Sequence, residues 1–315
     1  MFLKKVEIFF SLDFMPLFSS LFMKFIHVVA FATSYGFTVI PTRLHPNGFP
    51  LITANIGDGE SHLYELSIGA FSRSFLTHAD LDSATIVTFN TTRPDVGNIS
   101  LTANRHPVTL VDDAVDNAGW IAIGPGSDLA RSFGSVDYTG TEIVLGSFED
   151  FFLTEQCHNS FIEIPTRMEM IDGYAEIPKL FSTISFKILN TQSTALIIYE
   201  PIATVLHGPA AYFDAIFEIT AKTSTTASGE SAYFEDCDRV RKLLPLVQFV
   251  YFGDSLTTAQ GISPFQYTRK VSGNVCELLI SRDTDPSPRP WILFNPMRIP
   301  GIKIRAGADK IVLCI

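Results

Sequence analysis

The sequence has little positive charge. It holds 23 Lys and Arg against 33 Asp and Glu, which gives a net charge of −10 at pH 7. No run of basic residues is longer than a pair, and an acidic surface repels phosphate backbones. We therefore expect no nucleic-acid partner. Charged residues make up 18% of the chain and hydrophobic residues 46%. A disordered chain has a high charged fraction and a low hydrophobic fraction, so the sequence predicts a folded globular protein.

Several short motifs of catalysis and metal binding are missing. No CxxC, HExxH or H-x-H spacing occurs, which argues against the common zinc sites. No G-x-S-x-G elbow occurs, so the sequence does not support an α/β-hydrolase. We expect no metal and no cofactor. His207 is interpreted as a loop residue rather than a ligand or a base.

No membrane-spanning run is present either. Asp13 and Pro16 interrupt the first apolar stretch, so no span approaches the ~20 apolar residues that a membrane helix needs. The second stretch has the order of a secretory signal: Met23-Lys24, an apolar run, and Ala30-Phe31-Ala32 as a cleavage site. We interpret residues 1–32 as a signal peptide, Met23 as the true start, and residues 1–22 as a spurious extension. The mature protein is then secreted and has no contact with a membrane.

Two other features agree with secretion. The four cysteines are an even, widely spaced set, as expected of disulfides in an oxidising compartment: Cys157, Cys237, Cys276 and Cys314. Asn90-Thr-Thr and Asn98-Ile-Ser are glycosylation sequons in a polar region. Each sequon is a weak signal by itself.

Most of the remaining chain has the pattern of short β-strands separated by Gly, Asp and Asn. We therefore predict an all-β protein of largely antiparallel sheets with a few short helices. Ala84–Phe89, Val247–Phe252 and Trp291–Phe294 are examples of such strands. Pro209–Lys222 has the pattern of an amphipathic helix, and Ser127–Phe133 that of a shorter helix with Ser127 as its N-cap.

Several stretches, taken in order, resemble the pepsin-like aspartic proteases, and most of all their nepenthesin- and xylanase-inhibitor-like branch. They are Gly119-Trp-Ile-Ala-Ile-Gly124 before Ser127, the strand and loop before Pro209, Leu244-Pro245-Leu-Val-Gln-Phe249, Pro264-Phe-Gln-Tyr267, Trp291-Ile-Leu-Phe-Asn-Pro-Met-Arg298 and Asp309-Lys-Ile-Val. The resemblance implies a bilobal fold with an N-terminal lobe at 45–160 and a C-terminal lobe at 161–315. It also implies a Cys237–Cys276 disulfide, which leaves Cys157 for Cys314.

The catalytic motifs of that family do not match. The family cleaves peptides with two aspartates, each in Asp-[Ser/Thr]-Gly, that share one proton. Neither form of the motif occurs here. The first degenerate site falls at Ser67-Ile68-Gly69, with Ser67 in the aspartate position and Gly69 retained. The second falls at Tyr199-Glu200-Pro201 or one residue later, and counting back from Pro209 without a gap places Glu200 in the aspartate position.

Two further segments bear on this comparison. The family has a Tyr-bearing hairpin over its substrate, but no Tyr lies between Tyr64 and Tyr138. The candidate hairpin, Ile99–Val111, offers Arg105 and His106 instead. The stretch Asp137-Tyr138-Thr139-Gly140 is interpreted as an ordinary turn.

We expect from these features a secreted, monomeric, catalytically inactive homologue that binds an extended peptide or protein ligand in a cleft between its lobes. The alternative is an acid endopeptidase with an unconventional dyad, such as Glu200 with Asp80 or Asp82. A third hypothesis is a product with a compromised fold, because Phe294 stands where the family has Gly and Pro201 lies in the second loop.

Overall fold

The structure is a computed structural model. It describes the following residues: 37–56, 61–69, 74–77, 84–91, 98–107, 119–158, 160–171, 178–221, 227–228, 231–252, 257–283, 291–307 and 310–314. The proposed signal peptide lies outside the described residues. The lobe boundary at residue 160 stays a prediction.

The described chain is mostly β, which confirms the predicted fold class. The strands of its first half are β1 (Thr38–Leu44), β2 (Pro50–Ile56), β3 (Ser61–Ser67), β4 (Ser74–Thr77), β5 (Ala84–Phe89), β6 (Ile99–Pro107), β7 (Gly119–Ala122), β8 (Val136–Tyr138) and β9 (Glu142–Leu145). Those of its second half are β10 (Phe161–Pro165), β11 (Arg167–Glu169), β12 (Lys179–Ile188), β13 (Thr191–Tyr199), β14 (Leu206–Pro209), β15 (Ala227–Ser228), β16 (Ser231–Phe234), β17 (Val247–Phe252), β18 (Thr257–Ile262), β19 (Thr268–Ser272), β20 (Val275–Leu278), β21 (Ile280–Asp283), β22 (Trp291–Phe294), β23 (Ile304–Ala306) and β24 (Lys310–Cys314).

The strands of the first half close into a ring. The pairing order is β2-β3-β7-β4-β6-β5, and β5 pairs back onto β2. Closure of this kind leaves no free edge among these strands. Alternate side chains of β2 and β3, among them Ile52, Tyr64 and Leu66, are buried inside with Val87 and Phe89 of β5.

A second layer joins the two ends of the chain. Its order is β10-β24-β23-β8-β9-β1, so strands of the C-terminus lie beside strands of the first half. Arg305 of β23 and Asp137 of β8 are opposite each other and form a buried ion pair, with Arg305 Nη1 2.9 Å from Asp137 Oδ1. The Cys157–Cys314 disulfide ties this layer to the helical turn before β10.

The second half has its own sheet, in the order β18-β17-β12-β13-β22-β14-β21, with β11 beside β12. Its core is aromatic: the ring of Phe186 lies against those of Phe213 and Phe249 at centroid distances of 5.9 and 5.8 Å. A smaller sheet, β15-β16-β20-β19, carries the Cys237–Cys276 disulfide. Both disulfides expected from the sequence are therefore present.

The helices are short, apart from one. They are α1 (Asp128–Phe133), α2 (Glu149–Phe151, continued by a π-turn at Phe152–Gln156), α3 (Ala210–Ala221) and α4 (Cys237–Arg241), with a 3₁₀ turn at Pro296–Arg298. Ser127 caps α1 as predicted, because its Oγ accepts a hydrogen bond of 3.1 Å from the Ala130 N–H. Helix α3 buries Phe213 and Ile216 and exposes Asp214 and Glu218, which is the predicted amphipathic pattern.

Four local predictions need correction. Pro209 does not begin the long helix, because it ends strand β14 and pairs with Asp283. His207 lies in the same strand rather than in a loop. Asp137 and Tyr138 lie in β8, and the turn follows them.

The fourth correction concerns the hairpin that the family resemblance predicts. Residues 99–107 form one strand, β6, whose antiparallel partner is β5. The hairpin is therefore made by β5 and β6 instead of by Ile99–Val111, and Val111 lies outside the described residues. Over the part of the chain that is described, no helix is long and apolar enough to cross a membrane.

Candidate functional site

The same strand arrangement occurs twice in the chain. In the first half, β3 runs parallel to β7, β4 runs antiparallel to β7, and β4 runs parallel to β6. In the second half, β13, β22, β14 and β21 repeat these three pairings in the same order. Each half therefore has one loop that follows its first strand, and these two loops are the candidate sites.

The repeat identifies equivalent residues. Ser67 is opposite Ala122 at the end of β3, and Tyr199 is opposite Phe294 at the end of β13. In both halves the next strand begins seven residues later, at Ser74 and at Leu206. The pairing thus equates Ser67 with Tyr199, the first of the two registers that the sequence left open, and places Glu200 one residue past the aspartate position.

The two loops touch at Gly69. A Cβ atom added to this glycine would overlap the carbonyl oxygen and the Cβ of Tyr199. Gly124, which follows β7, is equally close to the Ile68 carbonyl oxygen. The structure therefore brings the two sequence-predicted sites into direct contact, and the contact is made by backbone.

Neither of the two equivalent residues, Ser67 and Tyr199, has a carboxyl side chain. Ser67 is buried, and its carbonyl oxygen accepts a hydrogen bond of 2.8 Å from the Ile123 N–H. Tyr199 is 1% exposed and belongs to the hydrophobic core. Its hydroxyl lies 3.2 Å from Ser182 Oγ, and its ring centroid lies 5.9 Å from that of Phe294. Burial raises the pKa of Tyr199 well above the usual value of 10.0, so its hydroxyl stays neutral.

Glu200 is held in an internal ion pair. Its Oε1 accepts a hydrogen bond of 2.5 Å from Lys179 Nζ, and both side chains are almost completely buried. Breaking such a pair by removing one partner leaves an uncompensated charge inside the protein, at a typical cost of about 3–5 kcal/mol. Glu200 therefore makes a contact that the folded structure depends on. Asp80 and Asp82, its candidate partners, lie outside the described residues.

A second carboxylate lies close to the site and was not predicted. Glu65 is two residues before Ser67, is fully buried, and binds Arg298 through Oε2 at 3.0 Å. Arg298 also stacks over the ring of Phe49 at 3.9 Å. Trp120 faces Glu65 across the pairing of β3 with β7, and its indole N–H and the Asn295 side chain also favour the charged form of this carboxyl. An acidic residue inside an alternating strand gives no sequence signal for such a long-range pairing.

Burial raises the pKa of the Glu65 carboxyl to about 7, although the nearby Arg298 guanidinium opposes the shift. The same cause raises the pKa of Asp137 to about 6 against the pull of Arg305. In both groups desolvation disfavours the charged form. Ionisation of either carboxyl therefore lowers the stability of the folded chain.

The comparisons with known proteins agree with this architecture. No protein-family model matches the sequence, and no curated protein matches it. The similar crystal structures include Basic 7S globulin from soybean, conglutin gamma from lupine seeds, and EDGP. The soybean protein is 9% identical with a TM-score of 0.57, over 88% of this chain and 96% of that chain. The lupine protein is 10% identical at 0.57, and EDGP is 11% identical at 0.56, each over 88% of this chain and 94% of that chain. At such low identity the likeness shows the fold alone, and that fold is the pepsin-like one.

Replacing Gly69 should disturb the loop contact. We expect Gly69→Ala to lower the free energy of unfolding by about 3 kcal/mol, because the new methyl group would overlap backbone atoms of Tyr199. Urea unfolding measures this loss. The matched control is Gly307→Ala, whose Cβ would meet only ordinary contacts at 3.5 Å or more, and which should change stability by less than about 1 kcal/mol. Equal effects of the two substitutions would contradict the contact.

Stability should fall as the pH rises between about 4.5 and 7. In this window the folded chain holds the Glu65 proton more tightly than the unfolded chain, because the folded pKa is raised from 4.5 to about 7. The loss from this carboxyl should be about 3 kcal/mol and complete above pH 7. Urea unfolding at pH 4.5, 5.5 and 7.5 should show a weaker pH dependence in Glu65→Gln. The half-exposed Glu142→Gln serves as control, and an unchanged slope in Glu65→Gln would refute the assignment.

Proposed function

We propose that this chain is a secreted protein of pepsin-like fold that is inactive as an aspartic protease and binds an extended peptide or protein segment between its two halves. The observation that carries the proposal is the pair of residues at the equivalent positions, a buried Ser67 and a core Tyr199. The proposal treats the chain as a monomer without metal or cofactor.

The chemistry of the pepsin-like proteases needs two carboxyl groups close enough to share one proton. Ser67 and Tyr199 are not acids in the working pH range of such a dyad, and Tyr199 directs its hydroxyl toward Ser182 in the core. The adjacent Glu200 is neutralised by Lys179. Ser67, Tyr199 and Glu200 therefore all make contacts within the folded chain.

Binding of an extended peptide does not need the two carboxyl groups that catalysis needs. An extended peptide is held mainly by backbone hydrogen bonds along strands and loops, and these survive the loss of the acids. The contact between Gly69 and Tyr199 keeps the two loops in the arrangement of the fold. A binding surface built on these loops therefore needs no intact dyad.

Secretion is supported by two kinds of observation. The two disulfides are of the type that persists in oxidising compartments. Asn90 and Asn98 are exposed and lie just beyond the paired ends of β5 and β6. We propose that both sequons are accessible to glycosylation in the secretory pathway.

The secreted chain should not cleave denatured protein between about pH 3 and 6, where a carboxyl dyad would titrate. The assay is digestion of denatured casein with and without pepstatin, followed by mass spectrometry of any fragments. Pepsin serves as the positive control for each condition. Cleavage that pepstatin abolishes would support the alternative, an acid endopeptidase with an unconventional dyad, and would overturn the proposal.

A peptide selected against the folded chain should bind beside the second loop. We expect Ala203→Arg, an exposed position four residues past Tyr199, to weaken such a peptide at least about tenfold. Thr191→Arg, at the opposite exposed end of β13, should leave the affinity unchanged. Fluorescence anisotropy with a phage-selected peptide measures both. If the two substitutions act equally, the peptide does not bind between the halves.

A further inference from the structure

A serine, a histidine and an aspartate meet on the face of the second sheet, outside the site described above. Strands β14 and β21 run parallel, and their register places His207 opposite Ser281 and Pro209 opposite Asp283. Residues two apart on a strand point to the same face. Ser281 and Asp283 thus flank the imidazole of His207 on one surface.

The distances are those of a hydrogen-bonded triad. His207 Nδ1 lies 2.9 Å from Ser281 Oγ, and His207 Nε2 lies 3.0 Å from Asp283 Oδ1. A nucleophile within reach of a base, and a base oriented by a third group, is the arrangement that activates serine in unrelated folds. We propose that Ser281, His207 and Asp283 form a nucleophilic site that accepts acyl groups from small, activated esters.

The three residues take different roles. Asp283 accepts a hydrogen bond from the Nε2–H of His207, which leaves Nδ1 as the base that receives the Ser281 proton. Asp283 is thus a positioning residue. Thr204 Oγ1 lies 3.0 Å from Ser281 Oγ and donates to the Leu206 carbonyl oxygen at 3.0 Å. Because the Thr204 proton is used in that bond, the Thr204 oxygen can only accept from Ser281, and it is an alternative acceptor to His207 Nδ1 for the Ser281 proton.

The site is open to small molecules. The side chains of His207 and Asp283 are 28% and 30% exposed. The neighbouring Arg282 is turned elsewhere, since it pairs with Asp214 at 2.6 Å and stacks on Phe217 at 4.4 Å. Arg282 therefore does not compete with the imidazole for Asp283.

The reaction balances without a further reagent. Ser281 Oγ attacks the ester carbonyl carbon, and its proton passes to His207 Nδ1. The Oγ–C bond forms, the C–O bond to the alcohol breaks, and the imidazolium gives its proton to the departing alkoxide. Water then attacks the acyl-serine, again with His207 as base, and releases the acid. With a fluorophosphonate the Oγ–P bond forms and fluoride leaves, so the adduct persists.

A fluorophosphonate probe tests the proposal on the full secreted chain. The expected result is one adduct, located on Ser281 by mass spectrometry and absent in Ser281→Ala. The matched control is Ser185→Ala, because Ser185 lies on β12 in the same sheet and is hydrogen-bonded to Gln192 instead of an imidazole. Labelling of this control should equal that of the parent chain. An adduct on another residue, or none, overturns the proposal.

Two conservative variants separate activation from simple exposure. We expect His207→Gln to slow labelling at least about 100-fold and Asp283→Asn at least about tenfold, since general-base assistance contributes about 10²–10⁴. The Tm of each variant is measured alongside. Slower labelling at an unchanged Tm supports the roles assigned. Labelling of Ser281 at the parent rate in folded His207→Gln would show an ordinary exposed serine and would refute the proposal.

Discussion

The close backbone contact between the two halves at Gly69 is the constraint on which the rest of the arrangement depends. No side chain fits between this residue and Tyr199, or between Gly124 and the Ile68 carbonyl. The fold itself therefore requires a residue without a side chain at both positions. This requirement holds for Gly69 whatever residue stands at position 67.

The residue that corresponds to Ser67 in the second half is part of the packed core. Tyr199 is buried, and its ring lies tilted against that of Phe294 at a centroid distance of 5.9 Å. Phe294 is itself larger than the glycine that the sequence resemblance predicts there. Two nearby carboxylates are each paired with a cation: Glu65 with Arg298, which is far away in the sequence, and Glu200 with Lys179 of the neighbouring strand β12. Removing either cation would leave an uncompensated buried charge. Because burial raises the pKa of Glu65 in spite of Arg298, this carboxyl favours the folded state most in acid, where it is protonated.

Local patterns predicted the elements whose signals are local. Strands Ala84–Phe89, Val247–Phe252 and Trp291–Phe294 have the predicted bounds, and the Ser127 cap lies where its sequence places it. The errors concern polar residues with remote partners. Asp137 pairs with Arg305, and His207 with Ser281, so each lies in a strand that its neighbours in sequence do not suggest. The two registers left open for the second site have a similar origin: the count from Pro209 assumes a helix start, whereas Pro209 ends a strand paired with Asp283.

The internal repeat allows the serine–histidine–aspartate cluster to be compared with the equivalent positions of the first half. By the strand pairings, His207 and Ser281 on β14 and β21 correspond to Phe75 and Arg105 on β4 and β6, which are likewise opposite each other. The fold thus supplies a parallel pair of strands in both halves, but only the second half carries a base beside a hydroxyl there. The serine–histidine–aspartate cluster is therefore not a consequence of the architecture. It depends on three side chains that the repeat does not require, as expected of a site grafted onto a scaffold.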